Sequence, residues 1–256
     1  MRIAVIGAAG WTGRAVLANL EGRHQVRAFD WSPQAWTSWE DVDGPWTGAD
    51  AVYGDIADYQ AVARAVEGQE AVIHTAVYAA GTPGGYGPED EKPFLINLKG
   101  LWNVLEAARL AAVQRVVHVG SCQTVHPHGV FFSAEVRRPD GGLYAVSKRL
   151  QEEMCRQYWE AFGLPIIVLR PDYIVDSRLG IGRHREKLGP GGSRRRNGWV
   201  CRHDLAEACR LAAENVDIGF DVFHTVGTPE ADATCNAARS RDVLGLAYLG
   251  DLDQYA

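Results

Sequence analysis

Three glycines behind a short apolar run do most to limit what this chain can fold into. Residues 3–6 are apolar, and Gly7, Gly10 and Gly13 follow within the segment GAAGWTG. The run reads as a strand, and the stretch behind the glycines as a helix. Only glycine lets a backbone turn this tightly and approach a pyrophosphate this closely. The open N–H groups of a helix start complete the anion site. A glycine pattern alone is a weak signal. It gains weight from YAVSK at 144–148, where Tyr144 and Lys148 share one helix face. An ammonium beside a phenol favours phenolate and lowers its pKa. That makes a proton-transfer group suited to interconverting an alcohol and a carbonyl.

Apolar strand candidates recur at 2–6, 25–29, 50–53, 70–74, 115–119, 165–169 and 221–226, with helical stretches between them. This alternation predicts an α/β fold, a parallel sheet covered on both faces. Right-handed crossovers make it doubly wound, with a cofactor at the carboxyl ends of its strands. Gly7, Asp30, Asp55, His74, Ser121 and Arg170 all fall at or just past predicted strand ends. Two segments break the alternation. Residues 31–49 carry Trp31, Trp36, Trp39 and Trp46, which predicts a loop pinned to the surface by its rings. Residues 176–198 are rich in glycine and arginine without a period, and a loop that long is usually functional.

The chain has 256 residues and a net charge of −6, which suits one core plus a small lobe and gives no reason to expect nucleic-acid binding. No apolar run is long enough to span a bilayer. Arg2 leads directly into the first strand, so no signal peptide is expected. The five cysteines have no CxxC spacing, and free thiols in a reducing cytoplasm are expected. His126 and His128 have no partner at ligand spacing, so no metal site is expected.

Taken in order, GAAGWTG, Asp30, GDIAD (54–58), HTA (74–76), INLKGLWNVLEAA (96–108), VGSCQTV (119–125), YAVSK and LRP (169–171) make the chain similar to the extended, epimerase/dehydratase-like branch of the short-chain dehydrogenase/reductase superfamily. WVCRHDLAEA (199–208) and SRDVLGL (240–246) look like that branch's late motifs. The resemblance implies one Rossmann-like domain, 1–256, with about seven strands. Residues 172–200 and 227–256 would form a small substrate lobe. It also implies a homodimer through helices 97–112 and 144–162.

The cofactor expected is NAD. Asp30 closes strand two, where a carboxylate accepts from a ribose 2′-OH and repels a 2′-phosphate; Trp31, rather than an arginine, follows it. Trp31 is a candidate for stacking on adenine. The resemblance adds Asp55 and Ile56 against adenine, Trp11 and Thr12 against the pyrophosphate, and Thr75, Ala76 and Val77 in a turn along the dinucleotide that runs on to Ala80. Asn97 and Tyr173 complete the cofactor candidates. Asp55 has an alternative role as a cap for the helix beginning near Ala57, as has Thr12 for the first helix.

Tyr144 and Lys148 form the expected acid/base pair, and the family's lysine also holds the nicotinamide ribose. The family's third hydroxyl falls, by register, on Cys122, a weak donor. Ser121 and Thr124 are the alternatives. Gln123, a substrate-side candidate, and Thr124 replace the Asp–Glu pair of nucleotide-sugar dehydratases, so elimination of water is not expected. Arg178 and Arg183 are candidate clamps for an anionic small-molecule substrate. The short C-terminal part resembles compact uronate and sugar dehydrogenases. The function expected is therefore an NAD-dependent oxidoreductase for a small sugar, sugar acid or polyol. A sugar 4-epimerase and a non-catalytic NAD-sensing regulator are the alternatives.

Overall fold

The apolar runs become strands within a residue or two of where the sequence puts them. A computed structural model describes residues 1–48, 50–78, 89–125 and 140–256. Ala79, Ala80, His126 and His128 lie outside the described residues. The strands are β1 (Arg2–Ile6), β2 (Gln25–Asp30), β3 (Ala51–Tyr53), β4 (Ala71–His74), β5 (Arg115–Val119), β6 (Ile166–Arg170), β7 (Tyr173–Asp176), β8 (Ile181–Gly182), β9 (Trp199–Cys201) and β10 (Phe220–His224). The helices are α1 (Trp11–Leu20), α2 (Glu40–Asp43), α3 (Tyr59–Val66), α4 (Gly100–Leu110), α5 (Leu143–Phe162), α6 (Arg202–Glu214), α7 (Asp232–Cys235) and α8 (Ala238–Leu244).

Seven strands form one sheet in the order β10-β6-β5-β4-β1-β2-β3. Every pairing in it is parallel. Every residue of β4, β5 and β6 is buried, as strands covered on both faces require. One apolar layer joins the sheet to α1 and α6. The other joins it to α3, α4 and α5. Strand order reverses between β1 and β4, which opens a crevice at their carboxyl ends. Thr75 closes its floor: its N–H donates to Ile6 O at 2.8 Å and its hydroxyl to Gly7 O at 3.0 Å.

The two irregular segments lie on either side of this crevice. In residues 31–46 the rings do pin the chain. Trp36 stacks on Trp46 at 4.2 Å, and Trp39 meets Trp11 at 4.5 Å. A 3₁₀ stretch (Pro33–Trp39) and α2 give this segment regular structure that its polar composition did not signal. The arginine-rich segment also contains structure. β7 pairs antiparallel with β8 and parallel with β9, forming a second, three-stranded sheet. The C-terminal tail packs on that sheet, where the Tyr255 hydroxyl donates to Ser177 O at 2.7 Å and Leu252 joins Trp199 and Val175.

Candidate active site

A cleft of about 660 Å³ runs from the glycine turn to Tyr144 and Lys148. That size suits an organic cofactor with a small substrate. At the turn, Gly7 has φ +84°, and a Cβ there would lie 2.6 Å from the Ala76 backbone N. A Cβ on Gly13 would lie 2.1 Å from Gly7 O. Helix and strand therefore touch where only glycine fits. The first intrahelical bond runs from Arg14 N to Gly10 O at 3.0 Å. The amides of Trp11, Thr12 and Gly13 are thus the open donors of the helix start. Gly10 takes the cap position without a side-chain bond, so Thr12 is not the cap; it lines the cleft.

Asp30 holds this end in register. Its carboxylate accepts from Ala9 N at 2.8 Å and from Trp31 N at 2.9 Å. Burial raises its pKa, against the pull of those two amides. Each oxygen keeps a lone pair for a ribose hydroxyl. Trp31 and Ile56 flank the same end, and Ala76 and Val77 continue along the cleft wall. Asp55 also lines it, but is not the cap of α3. Its carboxylate accepts from Ala57 N at 2.8 Å, and Asp58 caps the helix by accepting from Gln60 N at 2.9 Å.

At the other end Tyr144 and Lys148 stand one helical turn apart on α5, with Lys148 Nζ 5.9 Å from the Tyr144 ring centre. Lys148 is buried and donates to Val119 O at 3.0 Å. Burial lowers its pKa to about 7. Burial raises that of Tyr144, against the lowering pull of Arg183 and of a hydrogen bond from Ser121. The sequence-based expectation of a phenol lowered by Lys148 does not describe this arrangement. The lowering influences are Arg183 and Ser121, and desolvation exceeds them.

Ser121, not Cys122, meets the phenol. Ser121 is the cap of a short 3₁₀ turn, and its oxygen accepts from Gln123 N at 3.1 Å. Cys122 points the other way. Its thiol donates to Arg170 O at 3.1 Å and is buried beside Val226 and Cys235. The register that selects Cys122 is off by one because the strand ends at Val119 and a tight turn follows. Thr124 is also fully buried, and its hydroxyl donates to Ser121 O at 3.1 Å. Gln123 is not among the residues that line the cleft.

Three other candidates fall outside the cleft. Asn97 sits behind its wall, where its side chain accepts from Tyr78 N at 2.8 Å and donates to Tyr78 O at 3.0 Å. It orders the turn after β4 without facing the cavity. Tyr173 faces away because successive strand residues alternate; its hydroxyl meets Glu186, and Arg196 covers its ring at 4.4 Å. Arg178 is exposed beyond the buried Asp176 and does not line the cleft, whereas Arg183 does.

The sequence reading missed Asp172, Ser38, Trp39 and His184, all of which line the cleft. Asp172 was within reach of it. Alternation past the LRP strand end puts Asp172 and Ile174 on one side and Tyr173 on the other. Ser38, Trp39 and His184 come from the irregular segments and carried no such period.

Fold and cleft together define a dinucleotide-binding oxidoreductase scaffold. The sequence matches the NAD dependent epimerase/dehydratase family over residues 3–223, and the chain belongs to that family. It is an enzyme of the short-chain dehydrogenase/reductase type with NAD as cofactor. It is 28% identical over 233 residues to an L-arabinose 1-dehydrogenase (NAD(P)(+)) of Haloferax volcanii, covering 83% of this chain and 82% of the other. It is 33% identical over 176 residues to a uronate dehydrogenase of Agrobacterium fabrum, covering 66% of this chain and 60% of that protein's length. Among solved structures, a short-chain dehydrogenase/reductase superfamily protein from Agrobacterium tumefaciens with bound NAD superposes with a TM-score of 0.76 at 21% identity, over 100% of this chain and 94% of the other. The described residues contain no group of side chains placed to hold a metal ion. No described helix is long and apolar enough to cross a membrane.

Proposed function

We propose that this protein is an NAD-dependent dehydrogenase of a small sugar, sugar acid or polyol. One observation carries the reading. Tyr144 and Lys148 line one end of the cleft, with Ser121 bonded to the Tyr144 phenol behind it, and the other end holds the glycine turn and Asp30. NAD supplies the hydride acceptor. Tyr144 takes the proton of the substrate hydroxyl, and Ser121 orients the oxygen. Lys148, close to neutral pH in its titration, carries the proton onward and holds the ribose. Val119 and Gly120 line this end of the cleft beside Lys148. Arg183 is the remaining support for an anionic substrate group, since Arg178 lies outside the cleft.

The expected outcome is that Tyr144→Phe removes turnover, by on the order of 10³-fold or more, and leaves NAD affinity nearly unchanged. Absorbance of NADH with a panel of sugars and sugar acids, beside NAD calorimetry, measures both. A Tyr144→Phe enzyme with wild-type turnover ends the mechanism. The second reading, a sugar 4-epimerase, is favoured by the family's own breadth. It differs in giving epimer without net NADH.

Three further readings go with this function. Residues 172–200 and 227–256 act as a small substrate lobe, supported by the tail packed on the β7-β8-β9 sheet. The protein pairs with a second copy through α4 and α5, whose outer faces expose Trp102, Leu110, Leu150 and Phe162. It works in the cytoplasm, a setting that suits its five free, buried cysteines.

A further inference from the structure

Among the described residues, Asp172 is the one carboxylate that lines the catalytic end of the cleft. It lies in the link from β6 to β7, and it lines the cavity with Tyr144, Lys148 and Arg183. Its carboxylate is half-buried and has no hydrogen-bond donor among the described residues. The other buried carboxylates nearby are fully engaged: Asp176 by Arg202, and Glu152 by Arg170. A desolvated carboxylate without a donor is costly, and a ligand hydroxyl removes that cost. The link is also anchored, because Cys122 N donates to Pro171 O at 2.8 Å. Among the described residues, Asp172 therefore holds its place in the cleft through the backbone rather than through an ion pair.

We propose that Asp172 is the specificity-determining residue of the cleft, accepting hydrogen bonds from the hydroxyls of an uncharged sugar or polyol held against Tyr144 and opposing a substrate carboxylate at the same place. This rests on the dehydrogenase reading and narrows its substrate class. Arg183 faces the same space, so Asp172 balances the charge that would otherwise attract a uronate. Two like charges a few ångströms apart in a partly desolvated site repel strongly.

The groups facing Asp172 fix how it titrates. Among the described residues they are Tyr144 from α5, Arg183 from the turn after β8, Arg196 before β9, Cys122 after β5 and Cys235 from α7. Burial pushes the Asp172 carboxyl up to about 6, against Arg196 and Arg183. Burial raises both thiols, to about 12 for Cys235, so these stay neutral. Protonation of Asp172 below neutral pH removes its opposition to an anion.

The test is kcat/KM for glucose and galactose against glucuronate and galacturonate, pairs that differ in whether the terminal carbon is an alcohol or a carboxylate. Rates are read as NADH between about pH 5 and about pH 8. The ratio within a pair cancels the titration of Tyr144 and Lys148, which both substrates share. Wild type should favour the aldose at the higher pH, and the ratio should fall about tenfold or more on acidification. Asp172→Asn should hold the low ratio at every pH while binding NAD normally. Calorimetry of both sugars on NAD-loaded Tyr144→Phe gives the same ranking without turnover. A ratio unchanged by Asp172→Asn, with turnover still dependent on Tyr144, overturns this assignment alone. If no sugar is bound or turned over, the sugar reading falls and this assignment with it.

Discussion

The two ends of the cleft are built by different means. The cofactor end is a backbone construction: glycines at 7, 10 and 13, open amides and one carboxylate bonded to two N–H groups. The β7-β8-β9 sheet behind the substrate end is held in place by side chains. Arg202 is buried and bridges Asp176 at 2.6 Å and Asp43 at 2.5 Å, and its guanidinium covers Trp11 at 4.1 Å. A backbone device demands a residue type at a fixed spacing, so it is stiff and leaves a mark in the sequence. An ion-pair device needs only charges that meet after folding. It is easier to vary between relatives, and it fails when one partner is lost.

The sharpest break of that contrast is at Asp176. It accepts from Arg202 and His203 and from the amides of Arg178 and Leu179. Burial would raise its pKa, but the His203 and Arg202 bonds hold it well below the carboxylate range. Asp176→Asn should cost about 3 kcal/mol in urea unfolding, the low end for breaking a buried pair, because Asp43 remains to Arg202. The carboxylate is ionised in the fold at pH values where the unfolded chain is already protonated, so its contribution is present above about pH 4 and fades as pH falls further. A loss below about 1 kcal/mol would mean that the substrate end does not depend on its ion pairs.

Next is Gly13. A Cβ there meets Gly7 O at 2.1 Å and Ala8 O at 2.7 Å, both backbone atoms with no rotamer to move. Gly13→Ala should cost about 1–3 kcal/mol and remove most NAD binding, as seen by calorimetry. A variant that binds NAD normally would show that the turn is softer than its geometry implies.

That difference in construction also decides what the sequence revealed. Strand runs and the glycine turn were legible because period and residue type are local properties. Tyr144 and Lys148 were legible because a helix fixes their relative direction. Cys122 was chosen over Ser121 because the register depends on where β5 stops, and a tight turn at that end shifts it by one. Arg178 and Arg183 look alike as sequence. Only the β7-β8 hairpin decides that Arg183 turns inward. Asp172 carried a readable signal, alternation past a strand end, but Tyr173, the next residue, faces the other way and drew attention there.

A third effect lies under the junction of the two ends. His74 on β4 and His118 on β5 are fully buried, with their Nδ1 atoms 2.9 Å apart. Burial lowers both, His74 to about 3, with Lys148 adding to the shift. The folded state therefore refuses protons that the unfolded chain binds below about pH 6.5. Stability should be fully present above that pH and fall as pH drops toward 3, by up to about 1.4 kcal/mol per pH unit for each histidine. His118→Asn should remove about half of that slope in urea midpoints measured across the range. An unchanged slope would put the acid sensitivity elsewhere.

The smallest effect is expected where the two irregular segments meet. Arg185, in the turn after β8, donates to Asp41 Oδ2 at 2.5 Å and to Ser38 O at 2.6 Å, and lies over Trp39 at 4.5 Å. The pair is largely exposed, so solvent and side-chain entropy leave it little net worth. Arg185 also adopts φ +65°, a left-handed conformation that disfavours any residue with a Cβ. Two variants separate these influences. Arg185→Ala loses the bridge and the ring contact but keeps the backbone strain. Arg185→Gly loses the same contacts and relieves the strain. Arg185→Ala should melt slightly below wild type, and Arg185→Gly at or above Arg185→Ala. If the two melt together, the backbone is relaxed at this turn. If Arg185→Ala weakens NAD binding far more than it lowers the melting point, the segment after β2 depends on the hairpin to cover the cofactor. The two ends of the cleft would then be one mechanical unit, and the contrast between a backbone device and a side-chain device would no longer separate them.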